Sequence, residues 1–182
     1  YGNYGASGYG TAGGGRVAVT LTGEGADFSG WTGTITAYGG PGGGTSGSGG
    51  AGTVYQATAA TPPGAGEVIA DDSNRTDSVH CTFTALPALK FKEECLQETR
   101  WITRNKARIC LTTNAVIESL ALAAGGALEL GGWTLTVTEM TAAGRRVCSG
   151  VYTPETLACL TDEVGGGALV VKGMTGTILL LH

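Results

Sequence analysis

The sequence predicts an all-β fold, most simply a short parallel β-solenoid with a glycine-rich N-terminal part. Glycine supplies 33 of the 182 residues, and each glycine in a helix interior costs about 1 kcal/mol relative to alanine. Hydrophobic residues reach 42% against 14% charged residues, a balance that argues against disorder. Short segments of alternating polar and apolar residues recur between linkers too short for a helical crossover. An antiparallel β-sandwich fits the same linkers and is the alternative fold.

Residues 1–60 form the predicted glycine-rich β region. The segment 16–21 is rich in Val, Leu and Thr, and 32–38 alternates small polar and apolar residues with a period of two. Alternation of this kind is typical of a half-buried strand. Residues 39–52 are almost wholly Gly, Ser and Thr, and 53–56 resume a strand pattern. We therefore expect three strands in this region.

The tetrapeptide Thr-Pro-Pro-Gly at 61–64 is the strongest turn signal in the chain. It separates the first region from the predicted solenoid region, 61–182, although we expect one continuous domain. After it, 67–70 predict a strand, 71–75 a turn, and 79–86 another strand that stops at a proline.

The segment 88–108 is the only charge-dense part of the chain. It allows a short helix over 89–99, which would be an excursion from a β scaffold.

Residues 107–138 carry the most regular pattern. Predicted strands at 108–112, 116–122, 127–130 and 133–138 are joined by linkers of a few residues. Such linkers fit the tight corners of a coil in which each turn stacks its Leu, Ile and Val on the next, since no single coil can bury its face alone.

The C-terminal part of the sequence predicts a turn that is followed by two further strands. A strand is expected at 168–171, and Thr153-Pro154-Glu155-Thr156 resembles a capping box that begins one helical turn through Cys159. The last strand lacks the charges or proline that usually protect a sheet edge. We expect it to pair with another copy of the chain, the alternative being that it packs as the last coil of its own chain. Its residues are Thr177, Ile178, Leu179, Leu180 and Leu181.

The cysteines predict one or two disulfides and a leftover thiol, as in an oxidising compartment. Cys148 and Cys159 bracket a turn, and Cys95 and Cys110 flank the charged segment, while Cys81 competes for either pairing. The connectivity stays open. Buried free thiols, which behave as small hydrophobic groups, are the alternative.

No motif in the sequence predicts catalysis, a cofactor or a metal. The glycine motif at 42–47 is followed by more glycine instead of the helix that dinucleotide binding requires. No serine sits in a G-x-S-x-G motif, and His80 and His182 have no zinc-like spacing. Asp71 and Asp72 fit a turn better than a calcium or glycosidase site. The sequence predicts a protein that is not an enzyme, with a carbohydrate-active β-helix lyase or glycosidase as the alternative.

The charge and hydropathy patterns argue against a nucleic-acid partner and against a membrane span. The net charge is −4, which gives no electrostatic footprint for nucleic acid. No apolar run approaches the roughly 20 residues of a membrane span.

Several phrases of the sequence resemble known surface proteins. The glycine-rich phrases at 13–19, 33–40 and 50–55 are similar to glycine-rich surface proteins of verrucomicrobial and related bacteria. The phrase Ala-Leu-Glu-Leu-Gly-Gly-Trp-Thr-Leu-Thr-Val at 127–137 resembles the repeating strands of autotransporter-passenger-like β-helices. This resemblance implies an extracellular β-helix of the bacterial cell surface with a structural or adhesive use. Together with the terminal strand, it leads us to expect a self-assembling subunit of a surface fibre, or an adhesive module whose partner is a cell-surface or extracellular polysaccharide. It implies no catalytic residue.

Overall fold

The computed structural model describes residues 12–41, 48–74, 83–86 and 98–173. Within these ranges the chain forms strands and no helix, so the all-β prediction is confirmed. None of the described segments is a helix long and apolar enough to cross a membrane.

The described strands are short and follow one another closely. In chain order they are β1 (Arg16–Leu21), β2 (Thr53–Thr58), β3 (Glu67–Asp71), β4 (Thr84–Ala85), β5 (Arg100–Arg104), β6 (Arg108–Cys110), β7 (Ala115–Leu122), β8 (Ala127–Glu129), β9 (Thr134–Ala142), β10 (Arg145–Val147), β11 (Gly150–Tyr152), β12 (Leu160–Thr161) and β13 (Ala168–Val171).

These strands belong to two sheets. The larger sheet has the order β1-β2-β3-β5-β7-β9-β13-β11, with β10 also paired to β9, and the smaller sheet has the order β12-β8-β6-β4. All pairs of the smaller sheet are parallel, and so are those from β3 to β13 in the larger one. Antiparallel pairs join β2 to β3, β9 to β10 and β11 to β13.

Between β3 and β9 the chain alternates from one sheet to the other. Arg100 pairs with Ser119, nineteen positions later, and Ala115 pairs with Leu135, twenty positions later. In the smaller sheet Arg108 pairs with Ala127, again nineteen positions on. Each pass of the chain through a sheet therefore lies beside the previous pass, with corresponding residues paired.

The core consists of apolar rows that run across the strands. Trp101, Leu120 and Met140 form one buried row of the larger sheet. Ile109, Leu128 and Leu160 form the facing row of the smaller sheet, and all six join one hydrophobic cluster. Burial of such rows supplies roughly 25 cal/mol per Å² of apolar surface.

The inward-facing positions change phase in the middle of β7 and β9. Ile117 and Leu120 are both buried although they lie three residues apart, and Val137 and Met140 repeat this spacing one passage later. Because side chains of a straight strand alternate with a period of two, the chain must bend between the two members of each pair.

Most of the predicted strands are present, and two elements differ. The strand predicted at 32–38 is wrong: these residues join no ladder, and Ile35 and Ala37 instead pack on the face of the larger sheet. The helical turn predicted at 153–159 is a non-helical turn, although Leu157 N–H donates to the Thr153 carbonyl at 3.0 Å. The turn does not continue as a helix beyond this hydrogen bond, because Leu157 and Cys159 pack against the core.

The segment predicted as a possible helix, 89–99, lies outside the described residues except for its last two positions, which are not helical. Of the strand predicted at 79–86, the structure describes only 83–86, which contain β4.

Candidate assembly surfaces

Three extended glycine-rich segments pack together at the N-terminal end of the described chain. The segments are 12–15, 37–40 and 49–52, and none of them is a β-strand. Gly40 N–H donates to the Ala12 carbonyl at 2.8 Å, Gly14 N–H to the Gly50 carbonyl at 2.9 Å, and Gly52 N–H to the Ala37 carbonyl at 2.7 Å. Each segment is therefore hydrogen-bonded to both of the others. We call this arrangement the glycine bundle.

Only glycine fits at several positions of the glycine bundle. A Cβ atom on Gly14 would overlap the Ala37 carbonyl oxygen, and one on Gly52 would overlap the carbonyl oxygen of Gly15. This is the physical reason that collagen keeps glycine at its crowded axis. Close backbone packing thus explains the glycines at 14, 39, 49 and 52.

The glycine bundle closes the end of the smaller sheet. Ala51 belongs to the main hydrophobic cluster, and its carbonyl accepts a hydrogen bond from the Thr84 hydroxyl of β4 at 2.6 Å. The small apolar residue and this buried bond cover the interior beside β4.

A groove of about 380 Å³ lies next to the glycine bundle. It is lined by glycine backbone, by Thr53 and Phe83, and by Arg16 as its one charged residue among those described. The Arg108 guanidinium lies 4.2 Å from the centroid of the Phe83 ring. The groove can offer backbone hydrogen-bonding groups and one positive charge, which is chemistry suited to a hydroxyl-rich or acidic chain.

The edges of the larger sheet differ in their protection. At one end, β1 pairs only with β2 among the described strands, and Arg16 is its single charged residue. At the other end, β10 carries the exposed Arg145 and Arg146. β11 is uncharged, and its central Val151 is 67% exposed. Charged side chains discourage edge-to-edge pairing. We call β1 and β11 the open edges, because no other described strand pairs with their outer sides.

Two carboxylates organise the loops beside β8 and β12. Asp162 accepts hydrogen bonds from the backbone N–H groups of Gly132, Gly165 and Gly167 at 2.7–3.1 Å. Desolvation acts to raise the pKa of Asp162, but these three hydrogen bonds together hold it below its ordinary value. The Glu129 carboxylate accepts from the N–H groups of Gly131 and Glu163. Sequence analysis missed both residues, although an acidic residue shortly before Gly-Gly-Gly was an available signal.

The candidate disulfide between Cys148 and Cys159 is absent, because Cys110, Cys148 and Cys159 are free thiols. Cys148 follows β10 of the larger sheet, whereas the Cys159 carbonyl accepts a hydrogen bond from Leu128 N–H in the smaller sheet. The two residues thus lie next to strands of different sheets. Burial raises the pKa of Cys110, helped by the nearby Glu129 charge, and burial also raises the pKa of Cys159. Cys81 and Cys95 lie outside the described residues.

The acidic turn predicted at 71–75 is confirmed as far as Asn74. The Asp71 carboxylate accepts hydrogen bonds from Ser73 N–H at 2.8 Å and from the Asn105 amide at 2.9 Å. It is therefore engaged in shaping the turn. Among the described residues no group of three or more His, Cys, Asp or Glu side chains could hold a metal ion. The glycine motif at 42–47 and the terminal strand at 177–181 lie outside the described part of the chain.

Comparison with protein-family models, with curated proteins and with solved structures finds no match to this chain.

Proposed function

We propose that this protein is an extracellular structural subunit, a β-solenoid whose ends associate with other copies to build a surface fibre. The observation that carries the proposal is the pair of open edges, β1 and β11, at the two ends of the larger sheet. An unprotected edge presents unpaired N–H and C=O groups and is a template for further strand pairing.

The solenoid part of the proposal is supported by the spacing of paired residues. From β5 to β9, parallel partners recur after nineteen or twenty positions in both sheets, as expected when each pass of the chain is one coil. The parallel partners on either side of this stretch are 25 to 34 positions apart, which requires longer loops in those coils. The bends between Ile117 and Leu120 and between Val137 and Met140 give each coil a corner that keeps both apolar residues inside.

The association part is supported by the contrast between neighbouring edges. β10 has two exposed arginines, while the adjacent β11 has none and exposes Val151. Pairing at this end is therefore directed to β11. We propose that the terminal strand, Thr177 to Leu181, contributes to the same end, since it is apolar and uncharged.

An adhesive role on a bacterial surface is compatible with the same architecture. The groove beside the glycine bundle, with Arg16 and Phe83 in its lining, would contact an extracellular polysaccharide. We propose such a polysaccharide as the second partner, after other copies of the chain.

Electron microscopy of the purified full chain tests the fibre proposal. We expect filaments of even width for the full chain, and their loss when residues 175–182 are deleted, because deletion removes the apolar strand. As a control, Val164→Ser removes an apolar side chain that is 76% exposed in a loop and should leave filaments unchanged. Monodisperse monomers of the full chain would refute the fibre proposal, and fibres that survive the deletion would remove the terminal strand from it.

A further inference from the structure

The edge strand β1 carries part of a small apolar cluster that no other described strand covers at this edge. Val17 pairs with Val54, which pairs with Ile69, and these side chains lie on the outer face of the larger sheet beneath Ile35 and Ala37. Val17, Val19 and Leu21 are only half-buried. The cluster ends at β1 because no described strand lies beyond it.

From this geometry we infer that β1 pairs with β1 of a second copy, antiparallel and about a twofold axis. This inference rests on the proposed function only in the assumption that copies of the chain associate. Two copies of one edge meet isologously, so the same residues serve on both sides. The resulting pair would continue the larger sheet from one molecule into the next.

The pattern of β1 selects the register. Because the side-chain period is two, pairing must keep the half-buried residues on one face and the exposed residues on the other. With Val19 on the twofold axis, Val19 lies opposite Val19 of the second copy, and Val17 lies opposite Leu21 of the second copy. All three apolar residues gain a neighbour. On the other face, Ala18 then lies opposite Thr20 of the second copy.

Charge favours the same register. Arg16 is the only charged residue of β1, and this pairing leaves it outside the stretch 17–21 that forms the contact. It then lies towards the turn at 23–25 of the second copy, which carries Glu24. In this register, Arg16 does not lie opposite Arg16 of the second copy. By contrast, parallel pairing of β10 with β1 of another copy, with the first residues of the two strands aligned, would place Arg145 opposite Arg16.

Ala18 and Thr20 provide a matched test, because both are exposed and their replacement disturbs no core contact. In the inferred register, Ala18→Lys/Thr20→Lys sets lysine against lysine twice across the axis, whereas Ala18→Lys/Thr20→Glu sets lysine against glutamate twice. Directly opposed like charges destabilise a strand pair and opposite charges stabilise it, by roughly 0.2–1 kcal/mol for each pair.

Sedimentation equilibrium of the full chain with reduced thiols, at protein concentrations below those at which filaments form, measures the effect. We expect a dimer in the wild type at these concentrations, and a dimer Kd at least about fourfold higher for the Lys/Lys variant than for the Lys/Glu variant at low salt. This ratio should shrink as salt screens the charges. A wild-type chain that stays monomeric at every concentration would overturn the inference.

Equal dimer Kd values for the two variants would also overturn the inference, because the dimer would then use another surface. The two proposals can fail separately. Dimers that respond as expected without any filaments would refute the fibre proposal alone, and filaments insensitive to both variants would refute the β1 contact alone.

Discussion

At the scale of single residues, Asp162 shows how a side chain without catalytic chemistry can determine local structure. Its two oxygens bind three N–H groups from two separate loops. Loops rich in glycine lose much conformational entropy on folding. A charged acceptor that gathers their N–H groups offsets part of this cost, since hydrogen bonds to ionised groups are stronger than neutral ones.

Asp162→Asn should destabilise the protein by roughly 1 kcal/mol at pH 7, because it replaces charge-assisted hydrogen bonds with neutral ones. Urea denaturation measures this difference. The pKa of Asp162 is lower in the folded state than its ordinary value, so the stabilisation is present above the unfolded pKa and is lost as the pH falls towards the folded pKa. The variant should show a smaller loss of stability in acid.

Glu163→Gln is the control for this prediction, since the Glu163 side chain is exposed and only its backbone N–H joins the network. Equal stability of wild type and Asp162→Asn at pH 7, or a difference that does not shrink in acid, would contradict the role assigned to Asp162.

The long-range contacts of Asp162 and Glu129 could not be predicted from the sequence. Gly132 lies 30 positions from Asp162, and Glu163 lies 34 positions from Glu129. Local patterns identify a residue's own element but not a partner brought near by the fold. The Asp71 turn was predictable because its Ser73 contact is only two residues away.

At the scale of elements, the glycine bundle and the stacked strands follow different rules. The strands β6 to β9 were predicted because apolar alternation and short linkers are local signals. β5 was not predicted, since Arg100 and Arg104 make its sequence look like part of a charged segment although Trp101 and Thr103 between them are buried. In the segment 32–38, polar and apolar residues alternate as in a strand. Its last residues, and the glycines that follow them, pack in the glycine bundle instead of pairing in a sheet.

Gly52→Ala should destabilise the N-terminal end by several kcal/mol, because its Cβ would overlap the backbone of Gly14 and Gly15. Gly15→Ala is the matched control, since nothing lies within 4 Å of its added Cβ, and it should change stability by less than about 1 kcal/mol. Hydrogen exchange at the Gly14 and Gly40 amides should accelerate only in the Gly52 variant. Similar exchange in both variants would show that close packing does not hold the glycine bundle together.

At the scale of the whole molecule, β3, β5, β7, β9 and β13 lie side by side as parallel strands of the larger sheet. Its apolar rows run across strands from β3 to β13, so each passage of the chain is stabilised mainly by the passages above and below it. The composition predicted the all-β class. The division into two sheets with open edges depends on strand order and direction, which alternation alone does not encode. Continued association at the ends would extend the stack into a fibre.

Fibre diffraction from aligned filaments of the full chain tests this account most directly. If copies join through the edges of the larger sheet, strands lie across the filament axis, and a reflection at about 4.7–4.8 Å should appear along that axis. The same reflection perpendicular to the axis would mean that strands run along the filament and that copies join through their sheet faces, which would contradict the account.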